Sequence, residues 1–95
     1  MTENLPTVPG ARTIEARKAP HAEGLRDGST CLFRVEGYMP YVVSFLCEGD
    51  REWCQGHYYK TLSAAAQGYE AAVLEELRRR GGDEVDRVIA GLERD

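Results

Sequence analysis

The chain predicts an α+β domain: a three-stranded antiparallel sheet packed on one long helix, with a short C-terminal helix and a loosely ordered N-terminal arm. Three observations predict it. Apolar residues alternate with polar ones through residues 31–59, the period changes to three and four from residue 62, and the connections between the alternating runs are short. With 95 residues, 42% of them hydrophobic and 29% charged, the chain has the size and composition of one globular domain, too small to enclose a large catalytic cavity.

Residues 1–30 hold Pro6, Pro9 and Pro20, three of the four prolines, together with Gly10, Gly24 and Gly28 and no aromatic residue, so they read as the arm. Within it "ARTIEARKA" fits an edge strand or a short helix equally well, since Ile14 is its single strong apolar residue. Residues 31–95 read as the folded domain. "CLFRVEG" puts Cys31, Phe33 and Val35 on one face, and "YVVSFLCE" puts Tyr41, Val43, Phe45 and Cys47 on one face, Pro40 being tolerated at a strand start. After the turn "EGDRE", the segment "WCQGHYY" gives a third strand, with Cys54, Gly56 and Tyr58 inward and Trp53, Gln55, His57 and Tyr59 outward. Short links make these strands a meander.

Thr61 is a good N-cap for a helix whose stripe is Leu62, Ala65, Ala66, Tyr69, Val73 and Leu77. Arg78, Arg79 and Arg80 then complement the dipole in its last turn, and Gly81 and Gly82 end it. A second short helix starts at Asp83, with Val85, Val88, Ile89 and Leu92 at helical spacing.

The net charge of −4 opposes a phosphate backbone, so nucleic acid is the less expected partner. No apolar run is long enough to span a bilayer and the N-terminus has no signal-like core, which makes the cytoplasm the expected location. Three cysteines, an odd number, fit a reducing compartment, although Cys47 and Cys54 flank a short turn.

Cys31, Cys47, Cys54 and His57 would supply four zinc ligands, yet only Cys54 and His57 have the close spacing of a ligand pair, and alternation turns His57 away from the cysteines. The same alternation separates Cys54 and His57 as a nucleophile and base. No metal, cofactor or catalytic residue is therefore expected, with a small zinc-binding domain kept as an alternative. The outer sheet face is more apolar than water-facing sheets usually are: Leu32, Val42, Leu46, Trp53 and Tyr59 mixed with Arg34, Ser44, Gln55 and His57. Either the arm, a second copy in a homodimer, or a foreign protein should cover it. The candidate partner-binding residues are Arg34, Trp53, Gln55, His57 and Tyr59 on the sheet and the acidic Glu75 and Glu76 on the helix.

The order Gly56, Tyr58, Thr61, Ala64, Ala65, Tyr69 and Ala72 in "GHYYKTLSAAAQGYEAAV" resembles the three-stranded DNA-binding modules of the Apetala type and of phage integrases over residues 31–80. That resemblance implies a DNA-binding module whose sheet enters the major groove, the alternative function. The strands depart from it in carrying Arg34 as their one basic residue, with Glu36 and Glu48 opposing phosphate. A double-stranded-RNA-binding module has a similar strand order but wants a basic helix start where this chain has "TLSAAAQ". In size and acidity the chain also resembles the inhibitors that phages make against bacterial defence systems such as CRISPR complexes. The resulting expectation is a non-enzymatic protein-binding module that inhibits a nucleic-acid-handling or host-defence complex.

Overall fold

A computed structural model describes the backbone of residues 5–53 and 55–93, and the side chains of these up to residue 81. Four strands precede one helix: β1 Ala11–Lys18, β2 Gly28–Val35, β3 Tyr41–Cys47, β4 Gly56–Tyr59 and α1 Leu62–Glu93. The strands form one antiparallel sheet in the order β1-β2-β3-β4. The α+β class and the meander are as expected, but the sheet has four strands where the sequence predicted three. The added strand comes from the stretch read as an arm, so β1 and the first residues of β2 are ordered parts of the sheet. No helix among the described residues is long and apolar enough to cross a membrane.

The register corrects the assignment of faces. Leu32 lies opposite Val43, Phe33 opposite Val42, and Arg34 opposite Tyr41. Odd residues of β2 therefore share a face with even residues of β3, whereas the sequence reading grouped Cys31, Phe33 and Val35 with Tyr41, Val43 and Phe45. Alternation within each strand is right; the phase between strands is off by one. The 36–40 turn sets that phase: the Val35 amide donates to the Pro40 carbonyl at 2.7 Å, and Gly37 adopts a φ of 132°. A shift of one residue exchanges every side chain between faces.

Each face buries its own cluster. On the helix side Leu32, Val43, Ala65 and Tyr69 are buried, with Ile14, Tyr59 and Val73 packed around them. Ile14 joins them by alternation from Arg12, and the register shift between Thr13 and Glu15, a bulge, keeps Glu15, opposite Leu32, on the helix side as well. On the other face Val8, Cys31, Phe33, Val42 and Leu46 are buried and Trp53 packs against them. The N-terminal segment thus covers much of this face, one of the coverings expected. It is held there by the Ala11 amide donating to the Val8 carbonyl at 3.1 Å and by the Thr13 hydroxyl donating to the Pro6 carbonyl.

At the helix start the Thr61 hydroxyl accepts from the Ala64 amide at 3.2 Å, the expected N-cap. Gly68 lets the helix sit on Tyr59, since a Cβ there would lie 2.6 Å from the Tyr59 Cζ. The predicted stop at Gly81 and Gly82 is absent: Gly81 stays helical and the backbone continues as one helix to Glu93, so the expected second helix is a continuation of the first. Two interior glycines cost about 1 kcal/mol each, which a long helix can absorb. The side chains of Val85, Val88, Ile89 and Leu92 lie outside the described residues.

Arg80 is accordingly an interior helical residue and not part of a terminal turn. Its side chain is only 3% exposed. Nε donates to Glu76 at 2.9 Å, Nη1 to the Pro20 carbonyl at 3.2 Å and Nη2 to the Arg26 carbonyl at 2.8 Å, with the guanidinium 4.9 Å from the Phe45 ring centre. One side chain thereby ties the helix to the β1–β2 connection.

Candidate protein-interaction surface

Packing divides the seven expected partner-binding residues. Trp53, half-buried, stacks on Phe33 with ring centres 4.7 Å apart and planes at 19°. Tyr59 is not on the helix-free face as expected: opposite Tyr41, it packs under the helix against Gly68. Glu76 pairs with Arg79 at 3.4 Å and Arg80 at 2.9 Å. Arg34, Gln55, His57 and Glu75 are exposed. Arg34 donates to the Tyr41 hydroxyl at 2.9 Å, and the Gln55 carbonyl accepts from the Ser44 hydroxyl. His57, opposite Val43, lies on the helix side of the sheet, again contrary to the expected face.

One end of the sheet gathers residues that the sequence reading missed. Pairing of Tyr41 with Tyr59 brings the 36–40 turn beside the junction of β4 and α1. Tyr38, 78% exposed, stands on that turn with the Lys60 ammonium 4.5 Å from its ring centre. Tyr58 and Leu62, each 47% exposed, flank Lys60 in the chain at the junction of β4 and α1. Tyr58 was expected inside; it lies on β4 at the sheet edge, opposite Val42, and is exposed. A usable signal was present in "GYMP", where a tight turn carries a large aromatic that the turn itself does not require.

The two sheet edges differ. β1 carries Arg12, Glu15, Arg17 and Lys18 and a bulge, the features that keep an edge from pairing with another chain. β4, "GHYY", has no lysine, arginine, acid or proline. The less protected edge is thus the one beside the exposed tyrosines.

The cysteines do not converge. Cys31 lies opposite Ser44 among the residues of the helix-free face, while Cys47, opposite Gly28, shares the face of Val43 and Phe45. The expectation that all the cysteines share one face is corrected for these two, and Cys54 lies outside the described residues. The Cys31 thiol is fully buried and donates to the Ser29 carbonyl at 3.6 Å, a bond the thiolate could not make, and burial pushes its pKa up from 9.0 to about 11. Because the folded value lies above the unfolded one, the stability this group contributes is complete below pH 9 and is lost as pH rises toward 11. The expected loss is about 2–3 kcal/mol, read as a steeper fall in urea-unfolding free energy between pH 8 and 11 for wild type than for Cys31→Ala. Parallel slopes for the two proteins would exclude it.

Comparison with protein-family models, curated proteins and solved structures finds no match to this chain.

Proposed function

We propose that the chain is a non-enzymatic protein-binding module that inhibits a nucleic-acid-handling or host-defence complex by occupying a protein surface of that complex. The observation that carries this reading is the set of exposed apolar side chains around Lys60: Tyr58 and Leu62 flank it in the chain and Tyr38 lies under its ammonium, beside an edge strand without lysine, arginine, acid or proline. Tyrosines are the residue type that anchors protein interfaces, and they sit here on a turn and an edge positioned by a packed sheet. A nucleic-acid partner is less well supported. The sheet face opposite the helix, which DNA-binding modules of this shape present to the groove, is apolar here and overlain by Val8 and Trp53. The net charge of −4 acts in the same direction.

The test compares immobilised wild type with a Tyr38→Ser/Tyr58→Ser variant in extracts of the source cells. A captured protein retained by wild type should bind the variant at least about 10-fold more weakly, with both proteins unfolding at the same temperature. Equal capture by both proteins would refute this surface. Salt-sensitive binding of duplex DNA by the purified chain would favour the DNA-binding module instead. Sedimentation of the purified chain identifies a second copy as the occupant if the patch is buried in a homodimer.

A further inference from the structure

We propose that Arg12 and Arg34 form a receptor site for carboxylate side chains, which draws an acidic segment of the protein partner onto the same end of the sheet as Tyr38. The inference rests on the protein-binding reading above and names the chemistry of the partner.

The β1–β2 register places Arg12 directly opposite Arg34. Like charges at directly opposed positions of an antiparallel pair are destabilising, so folding alone gives no reason for two arginines there. Both are exposed. Among the described residues Arg12 has no carboxylate within ion-pair distance, as is true of Arg17, Arg51 and Lys60, and it is its place directly opposite a second arginine that sets it apart. Arg34 is held from one side only: it donates to the Tyr41 hydroxyl at 2.9 Å and lies 5.3 Å from that ring's centre. A guanidinium has five N–H donors, so most of Arg34's remain for a ligand while Tyr41 limits its motion.

The two arginines line an open notch whose wall is the 36–40 turn. Gly10 and Gly37, with φ of 83° and 132°, shape it without side chains. Tyr38 stands on that same turn, so a segment lying in the notch would continue onto the exposed tyrosine. Planar guanidiniums match carboxylates in a two-bond geometry. Glu36, which also lines the notch, lowers the local positive charge. A site of two arginines and one glutamate on a chain of net charge −4 suits spaced carboxylates better than the dense charge of a nucleic acid.

The test is an NMR titration of the full-length isotope-labelled chain with hexaglutamate at low and physiological salt, with hexalysine, inorganic phosphate and a short DNA duplex in parallel. The side-chain Nε–H signals of Arg12 and Arg34 and the amides of residues 34–37 should shift saturably with hexaglutamate and not with hexalysine. Arg12→Gln, which removes a side chain with no ion-pair partner among the described residues and relieves its repulsion with Arg34, should weaken binding by at least about 5-fold without lowering thermal stability. Glu36→Gln should strengthen it by a few-fold. Absence of a saturable shift, or an unaltered one in Arg12→Gln, would overturn the site. Tighter binding of the duplex or of phosphate than of hexaglutamate would overturn the carboxylate assignment. The Tyr38→Ser/Tyr58→Ser variant should bind hexaglutamate as wild type does. The arginine site and the tyrosine surface can therefore fail separately.

Discussion

Arg80→Ala is expected to destabilise the protein by about 3 kcal/mol, for a chain of this size a fall in Tm on the order of 15 °C. The guanidinium is nearly buried and makes three hydrogen bonds, to Glu76, the Pro20 carbonyl and the Arg26 carbonyl. Truncation leaves Glu76, whose side chain is 15% exposed, with only the longer 3.4 Å contact to Arg79, and removes one hydrogen bond from each carbonyl. It also opens space against the Phe45 ring, where the Arg80 stem and head pack. Arg80→Lys should recover little, because an ammonium cannot reach one carboxylate and two carbonyls in the planar arrangement that the guanidinium spans. Arg80→Met keeps the stem, and combining it with Glu76→Met removes the stranded carboxylate, so the double variant should be more stable than the sum of the single effects predicts. Urea unfolding followed by far-ultraviolet circular dichroism measures all five, Glu76→Met alone included. A loss below about 1 kcal/mol for Arg80→Ala would place its guanidinium in solvent-like surroundings and remove its role as the tie between helix and loop.

Local signals in the sequence were legible and relational ones were not. Thr61 as cap, with Ala65 and Tyr69 on the buried stripe, follows from helical spacing within one segment, and the structure has them so. β2 and β3 follow from alternation in the same way. Their relative phase depends on how the 36–40 turn closes, which no periodicity reports, and the one-residue difference carried Tyr59 and His57 to the helix side and separated Cys31 from Cys47. β1 was ambiguous because an edge strand buries little: only Ile14, Ala11 and Ala16 carry an apolar signal in a segment otherwise charged or polar. Arg80 read as a helix-end cation because its partners, the carbonyls of Pro20 and Arg26, lie more than fifty residues away in sequence. In the candidate interaction surface, Arg34, Gln55 and His57 were legible as outward polar residues of strands. Tyr38 and Tyr58 were not, because exposure of an aromatic depends on which distant segment covers it, and no periodicity within a strand or turn reports that.

Trp53→Ala is expected to cost about 2–3 kcal/mol, so that any loss of binding in this variant follows from unfolding and not from a missing anchor. The indole stacks on Phe33, itself fully buried, and closes the cluster of Val8, Val42 and Leu46. Gly56 is part of the same contact. A Cβ at that position would stand 2.7 Å from the Val42 Cγ1 and 3.1 Å from the indole Nε1, so Gly56→Ala must displace Val42 and crowd the ring, and should share part of the destabilisation. Trp53→Phe keeps a ring over Phe33 and should cost only about 1 kcal/mol. Because the chain's one tryptophan is removed, unfolding of both Trp53 variants is followed by circular dichroism, while Gly56→Ala also reports through a red-shifted tryptophan emission. The contrary result is specific. If Trp53→Ala unfolds within a degree of wild type and yet fails to capture the protein that wild type captures, then the indole belongs to the interface. The binding surface would then extend from the Tyr38 end across the face overlain by Val8, and the partner would have to displace the N-terminal segment to reach it.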